Sequence, residues 1–547
     1  MPTASGKTLV AYIALLVSAL KNGKGLYIVP LKALASEKYS ELKEFEKLGI
    51  KVGIATGDYD SPSKYLENYD IIISTTEKAD SLMRHNTSLL EKFNVLIIDE
   101  IHLLNDFMRG PTLEVFISRF REMNPKAQLI ALSATITNSD DISSWLNAEH
   151  IKSLWRPVKL REGVYYKDGI YFSDGDEKSI KKIFRDDIAN LVLETVFEGG
   201  QALIFVNARK YAEALAEKLG EVLKKFLSNE TPVHYESDIA IEDVGEETDI
   251  GKKLKRCLKN GVAFHHAGLT QQQRDKIEKQ FKERILKCIV ATPTLAAGIN
   301  LPARRVIVRD LRRYENGCSL YIPVLEVKQM CGRAGRPKYD KEGEAIIIGK
   351  RKEEVQWLID KYFKSEGEII TSKLCNENIL RMHILGVIAS GYTSTFNILK
   401  KFIGSTFYAY TEKRGIDSEI INVISFLNKN GFIEVFGDEL LPTVFGKRVA
   451  QLYIDPSSGI VLRDALENTK NATSFSYLHA ISATQDMHKL RLYLRKGDYE
   501  WLNEEVEKRR EEFILPIPDN GYEWFLSEVK NALLLEDWIQ ERKDGWL

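Results

Sequence analysis

Two neighbouring carboxylates, Asp99 and Glu100, end the apolar run Val95, Leu96, Ile97 and Ile98 within residues 94–105, N-V-L-I-I-D-E-I-H-L-L-N. Four apolar residues without a polar break fit a central parallel strand covered on both faces. The acids then emerge at the carboxyl end of a buried strand, where open α/β sheets place their ligands. Asp99 can hold a phosphate-bound magnesium ion, and Glu100 can take a proton from an attacking water. A lone Asp-Glu pair is ordinarily a strand's polar exit, so this chemistry depends on a phosphate loop upstream and arginines downstream.

The loop is residues 1–8, M-P-T-A-S-G-K-T, which fits G-x-x-x-x-G-K-[ST] except that Met1 fills the first glycine slot. Gly6 lets the backbone approach phosphates, Lys7 reaches the β and γ phosphates, and Thr8 can ligate magnesium. The tripeptide gains weight from its context, since it opens a helix and alternating strands and helices follow. Downstream, residues 329–337 read Q-M-C-G-R-A-G-R-P, placing Arg333 and Arg336 three apart on one expected helical face. Such a pair can clamp phosphates, and an arginine supplied across a cleft is worth about 10³ to 10⁵ in nucleotide hydrolysis.

Repeated β-α units must position these groups. Residues 25–30 read as a strand, residues 70–74 as another ending at Thr75 and Thr76, and residues 128–132 as a third ending at Ser133, Ala134 and Thr135. Each delivers small or hydroxyl residues to one sheet edge, although helix capping accounts equally well for Thr75 and Thr76. The run from Leu9 to Leu20 is too short to cross a bilayer and fits a buried helix behind the loop. A connector at residues 155–163 interrupts the periodicity with proline and charge. The pattern then restarts with a strand at 201–206 ending at Asn207, an edge at 261–269 bearing His265 and His266, and the strand-then-hydroxyl run 287–300. The histidine pair has no third ligand at suitable spacing, so no metal site is expected there. The acidic stretch 228–248 reads as a surface insertion or connecting loop. Residues 306–315 and 318–324 flank Asn316 and Gly317, a pair that type I′ hairpin turns prefer, with Arg309, Arg312 and Arg313 on one arm.

The chain has 547 residues, enough for roughly three to five domains. Its 77 Lys and Arg nearly cancel its 78 Asp and Glu, so bulk charge does not decide whether nucleic acid binds. Cys257, Cys288, Cys318, Cys331 and Cys375 form no C-x-x-C pair, which argues against zinc or a disulfide framework and for a reducing, cytosolic interior. Towards the carboxyl end, Asp417 and Ser418 precede an apolar helix ending at Asn430 and Gly431. Two short strands around Gly437 and Asp438 and a helix from about Phe445 follow, an order like that of a winged helix. Residues 522–542 read as a long helix with Phe525, Val529, Ala532 and Ile539 on one stripe and Trp524, Ser527, Asn531, Trp538 and Arg542 opposite. A tryptophan on the polar side can stack on a base, a contact worth about 1–3 kcal/mol. The alternative is a helix buried all round, because Leu534 and Leu535 also lie off the stripe.

In order and spacing, P-T-A-S-G-K-T, V-P-L-K-A-L, D-E-I-H, S-A-T, F-H-H-A-G-L, A-T-P-T-L-A-A-G-I-N-L-P-A and Q-M-C-G-R-A-G-R-P-K-Y-D resemble the Ski-like branch of superfamily 2 helicases. Within that branch the likeness is to the Hjm group of archaeal repair helicases, relatives of animal HELQ, and it runs nearly end to end. It implies an α/β protein of two tandem RecA-like parallel-sheet lobes, residues 1–157 and 158–352, then a winged helix at 353–457 and an α-helical ratchet domain at 458–547. It also implies a cytoplasmic monomer that uses ATP and Mg²⁺ to move 3′ to 5′ on single-stranded DNA and to unwind forked DNA, with replication and repair proteins as partners.

Carried onto this chain, the resemblance implies that Thr3, Ala4, Ser5, Gly6, Lys7, Thr8 and Gly298 surround the nucleotide, Thr8 and Asp99 bind magnesium, and Glu100 activates water. Gln329, Arg333 and Arg336 would complete the site from the second lobe, and His102, Ser133 and Thr135 would couple it to the strand-binding edge. Pro30, Lys32, Thr75, Thr76, Asn207 and Thr292 would touch the nucleic-acid backbone, positioning it without reading sequence. The hairpin at Asn316 and Gly317 would split the duplex, and Trp524, Lys530 or Trp538 would contact the threaded strand. The family carries a glutamine motif and a first strand ahead of the loop and a helix-loop-helix domain after the ratchet, so this chain as written is expected to hydrolyse ATP poorly. The alternatives are an RNA helicase of the same branch and a non-catalytic single-strand clamp; Lys7, Glu100, Arg333 and Arg336 together argue against the clamp.

Overall fold

The computed structural model describes residues 5–57, 64–85, 87–153, 155–230, 248–293, 295, 301–315, 318–337, 339–412, 415–467 and 472–542. Thr3, Ala4, Gly298, Asn316 and Gly317 lie outside the described residues, as does most of the acidic stretch. The chain divides into two compact units, one of Met1–Ala79, Ser88–Leu103 and Asn124–Ile370, the other of Asp80–Thr87, Leu104–Met123 and Thr371–Leu547.

The first unit contains a five-stranded sheet of β1 (Lys24–Val29), β2 (Val52–Ala55), β3 (Ile71–Thr75), β4 (Phe93–Ile98) and β5 (Gln128–Ala131). Its order is β2-β3-β1-β4-β5 and every pairing is parallel. Leu26, Tyr27, Ile28, Leu96, Ile97 and Ile98 are buried, as the unbroken apolar runs of doubly covered strands require. The register sets Val29 beside Thr75 and Ile28 beside Ile98, so the carboxyl ends of β3, β1 and β4 are level. The helix Lys7–Leu20 differs from the buried helix expected. Ala11, Leu15 and Ser18 are buried, whereas Leu9, Val10, Ile13, Val17 and Leu20 are exposed, because only one side of the helix meets the sheet.

The same unit contains an eight-stranded sheet of β6 (Lys159–Tyr166), β7 (Gly169–Phe172), β8 (Glu177–Ser179), β9 (Ala202–Phe205), β10 (Val262–His265), β11 (Cys288–Ala291), β12 (Arg305–Val308) and β15 (Glu342–Ile348). Its order is β10-β11-β9-β12-β15-β6-β7-β8, parallel except for the β6-β7-β8 meander. Residues 159–163 are therefore strand rather than connector: pairing with β15 overrides their charged composition, and Arg161 lays its guanidinium over the Phe172 ring at 3.8 Å. The hairpin arm expected over 306–315 is likewise two elements. β12 stays in the large sheet, and β13 (Arg312–Glu315) pairs with β14 (Cys318–Tyr321) in a separate two-stranded sheet. Val306, Ile307 and Val308 are buried core residues, so the chain leaves the core before the charged arm begins.

In the second unit the helix Gly110–Met123 buries Glu114 and Val115 among residues of the carboxyl-terminal half. Residues 104–123 thus belong to the second unit. The helix Ile416–Lys429, the antiparallel pair β16 (Ile433–Phe436) and β17 (Glu439–Pro442), and the helix Val444–Leu452 follow the expected helix-hairpin-helix order. Gly446 is required there, since a Cβ would lie 1.9 Å from the Phe432 carbonyl oxygen. The last helix, Tyr522–Ile539, corrects the expected stripes. Ser527 and Asn531 are buried because they satisfy the backbone of Leu492: the serine hydroxyl donates to its carbonyl and the asparagine Oδ1 accepts from its N–H at 3.1 Å. Ile539, expected on the apolar stripe, is 60% exposed. Among the described residues no helix is long and apolar enough to cross a membrane.

Candidate nucleotide site and strand-binding edge

Gly6 adopts φ 87°, a left-handed conformation that favours glycine, and the helix Lys7–Leu20 begins at the next residue. Lys7 and Thr8 thus occupy a helix N-terminus, whose unsatisfied N–H groups and dipole suit an anion. Asp99 and Glu100 follow β4 directly. The Asp99 N–H donates to the Ile28 carbonyl at 2.9 Å, the Tyr27 hydroxyl donates to Asp99 Oδ2 at 2.9 Å, and the Glu100 N–H donates to Asp99 Oδ1 at 3.0 Å. Glu100 has φ 52°, a sparsely populated region for a non-glycine residue and one found at functional sites.

The two acids are electrostatically distinct. Burial, followed by the Glu100 charge, pushes Asp99 up to about 6. Burial also acts upward on Glu100, but His102, Lys7, Arg333 and Lys38 outweigh it and hold this carboxyl below its ordinary value. Glu100 is thus ionised at neutral pH, as a base must be. Its Oε2 is buried with no hydrogen bond to the described residues and lies 3.4 Å from His102 Nδ1. An orphaned carboxylate oxygen beside a second carboxylate and within reach of the Lys7 charge fits a magnesium nucleotide and its attacking water.

Gln329 lies on the helix Val324–Cys331, and its amide nitrogen stands 2.6 Å from His102 Nε2. With that amide donating, Nε2 accepts and the ring proton is on Nδ1, which faces Glu100 and stands 3.4 Å from Ser133 Oγ. Burial lowers the His102 pKa, which keeps the ring neutral and able to play both parts. Thr135 lies two residues beyond Ser133. Arg333, in the turn after the helix, is close enough for its charge to act on Glu100.

The carboxyl edges of the two sheets carry the remaining residues. Pro30 follows β1, and Lys32 is exposed at the start of the helix Lys32–Lys43. Thr75 ends β3 and its hydroxyl accepts from the Lys78 N–H at 3.4 Å, whereas the Thr76 hydroxyl is buried with no hydrogen bond to the described residues. Asn207 and Thr292 follow the adjacent strands β9 and β11. The Asn207 side chain donates to the Arg312 carbonyl at 2.9 Å, so it also holds the root of the β13–β14 hairpin. The histidines at the neighbouring edge face acids, with His265 Nε2 3.3 Å from Glu278 and His266 Nε2 3.5 Å from Glu213.

Family models match in the order of this geometry. Residues 1–142 match the DEAD/DEAH box helicase model, residues 240–338 the helicase conserved C-terminal domain, and residues 475–546 the archaeal helicase domain 4. The ATP-dependent DNA helicase Hel308 of Methanocella arvoryzae is 44% identical over 563 residues, spanning 100% of this chain and 75% of the relative. The Hel308 of Pyrococcus horikoshii is 42% identical over 550 residues, with the same coverage. The chain belongs to the Hel308 family.

Other residues chosen from sequence have protein partners of their own in this Hel308-family chain. Arg336 does not share a helical face with Arg333, because the helix ends at Cys331 and Gly335 turns the chain with φ 93°. The Arg336 guanidinium pairs with Asp340 at 2.7 Å and donates to Gln201 at 3.0 Å, a buried ion pair within the first unit. In the last helix Lys530 pairs with Asp498 at 2.6 Å, and the Trp524 ring lies 3.3 Å from the Arg491 guanidinium. Trp538 is 77% exposed.

Three side chains that support the candidate site escaped sequence reasoning. Tyr27 orients Asp99, and its trace was a lone phenol in an otherwise aliphatic strand. Lys38 is buried between Glu37 and Glu41, and its charge reaches both Asp99 and Glu100. Arg156 donates to the carbonyls of Gly332 and Ala334 at 3.2 and 3.0 Å, bracketing Arg333 from the interlobe segment. Its only trace was an arginine beside a proline in a connector.

Proposed function

We propose that this chain is the motor of an ATP-dependent DNA helicase that moves 3′ to 5′ along single-stranded DNA and opens forked duplexes in repair. The observation that carries it is the line from Glu100 through His102 to Gln329, which joins the acid end of one sheet to a helix beside the other. Lys7 and Thr8 would bind the phosphates, and Thr8 with Asp99, the latter oriented by the Tyr27 hydroxyl, would hold magnesium. Magnesium, when bound, neutralises charge on the transferring phosphoryl group. Glu100 takes the proton of the attacking water, and Arg333 stabilises the charge that develops.

Turnover reaches the DNA through relative movement of the two sheets. With nucleotide between them, the His102–Gln329 contact holds the edges bearing Pro30, Lys32, Thr75 and Thr76, and Asn207 and Thr292, at one spacing along the strand. Its release lets them separate by a step. Backbone contacts of this kind track a strand without reading its bases. The two sheets act as RecA-like lobes, the helix-hairpin-helix within residues 353–457 as a winged helix, and the helix bearing Trp538 as a ratchet. We place this activity in the cytoplasm, in a monomer.

The test is ATP hydrolysis by the chain and by Glu100→Gln, with equal lengths of single-stranded DNA or RNA at one salt concentration, since phosphate contacts weaken steeply with salt. Stimulation by DNA that Glu100→Gln abolishes, by about 10² or more, supports the reading. Stronger stimulation by RNA would replace it with an RNA helicase. DNA binding without turnover, unchanged by the substitution, would replace it with a clamp.

A further inference from the structure

The strands β13 and β14 make no ladder with the eight-stranded sheet. An isolated hairpin is at best marginally stable in water, so one that bears load needs support from outside its own ladder. Their register pairs Arg312 with Tyr321, Arg313 with Leu320 and Tyr314 with Ser319. Paired residues share a face and successive residues alternate. Arg312 and Tyr321 therefore lie on the same face as Tyr314, and Arg313 lies on the opposite face.

Both faces are gripped at the root. On the first, the Arg312 guanidinium lies 4.0 Å from the Tyr321 ring, and the Lys361 ammonium lies 4.4 Å from that ring and 4.9 Å from the Trp357 ring. The Tyr321 and Trp357 rings are themselves 5.1 Å apart. On the second, Arg313 pairs with Glu326 at 2.7 Å, on the helix that carries Gln329. Lys361 belongs to the π-helical turn Ile359–Lys364, and Tyr362 of the same turn donates to the Ile322 carbonyl at 3.1 Å, just past β14. Such turns are rare and occur often at functional sites. Further along the hairpin, Tyr314 is 73% exposed.

We propose that Lys361 and Trp357 are positioning residues for strand separation: the ammonium, held against the Tyr321 and Trp357 rings, braces the hairpin against the segment Lys352–Lys364, whose Val355, Leu358, Ile359 and Tyr362 pack into the core of the eight-stranded sheet. Load on the hairpin then passes into the helix bearing Gln329 instead of bending the hairpin at its root. The proposal rests on the reading of the hairpin as the separating element. Neither residue lies in the nucleotide site or on the strand-binding edge, so losing the brace costs unwinding and spares hydrolysis.

The experiment measures forked-duplex unwinding and DNA-stimulated ATP hydrolysis side by side in the full chain. The variants are Trp357→Ala, Lys361→Ala, Lys361→Arg and the hairpin-arm pair Tyr314→Ala with Leu320→Ala. The expected result is unwinding reduced about fivefold to tenfold by each brace alanine with hydrolysis unchanged, recovery in Lys361→Arg, and loss of unwinding in the hairpin-arm variant. Loss of unwinding in the hairpin-arm variant alone would overturn the brace and leave the separating hairpin standing. Unwinding unaffected by the hairpin-arm variant would overturn the separating hairpin and the brace with it. Parallel loss of unwinding and hydrolysis in the brace variants would also overturn the brace, because a residue that merely holds the lobe together lowers both.

Discussion

Gln329 meets His102 at 2.6 Å, joining the helix Val324–Cys331 to the turn that follows the two acids. Because His102 Nδ1 faces Glu100, the base and the second sheet share one imidazole. His102→Ala and Gln329→Ala are each expected to lower DNA-stimulated turnover about tenfold, and the double variant no further, since both remove one interaction. Additive losses in a double-mutant cycle would show that the contact is incidental.

Arg333 and Arg336 should separate cleanly by measurement. Arg333→Ala is expected to lower turnover by about 10³ or more with little change in unfolding temperature. Arg336→Ala strips the partner from Asp340, whose side chain is 5% exposed, and is expected to cost about 3–5 kcal/mol of stability in denaturant unfolding. The reverse pattern would mean that Arg336 leaves Asp340 to reach the nucleotide.

Trp538 and Trp524 offer a similar contrast. Trp538→Ala is expected to weaken single-stranded DNA binding by about 1–3 kcal/mol in a titration at fixed salt. The Trp524 ring is occupied by Arg491 and lies 5.9 Å from His488, so Trp524→Ala should change DNA affinity far less. Equal losses would place the strand along the whole helix.

Glu114 carries a pH prediction for the second unit. Burial, only partly offset by bonds from Ser372 at 2.6 Å and the Tyr408 N–H at 2.7 Å, pushes it from 4.5 up to about 7. A carboxyl raised in the folded state contributes stability that is full below its unfolded value and is lost as pH rises through the folded one. Glu114→Gln should therefore gain about 2–3 kcal/mol relative to the parent between about pH 5 and about pH 8, read from urea midpoints. A difference independent of pH would mean that Glu114 titrates normally.

Much of this molecule was legible because its information is local. Val95 to Ile98 followed by Asp99 and Glu100 announced both a buried strand and the acids at its end, and the G-K-T tripeptide announced a helix start at Lys7. The same held for Asn430 and Gly431 as a helix end, and for the small hairpin after them. Long-range pairing decided the rest. Local charge suggested a connector at residues 159–163, but the neighbouring strand β15 drew them into the sheet. Periodicity put Ser527 and Asn531 outside, but the unmet backbone groups of Leu492 drew them in. Spacing made Arg336 the twin of Arg333 on one helical face, and only the folded chain ended that helix at Cys331 and set Asp340 and Gln201 against Arg336. Strand runs and helix caps depend on neighbours in sequence, whereas the partner of a charge or buried polar group depends on what the fold sets beside it.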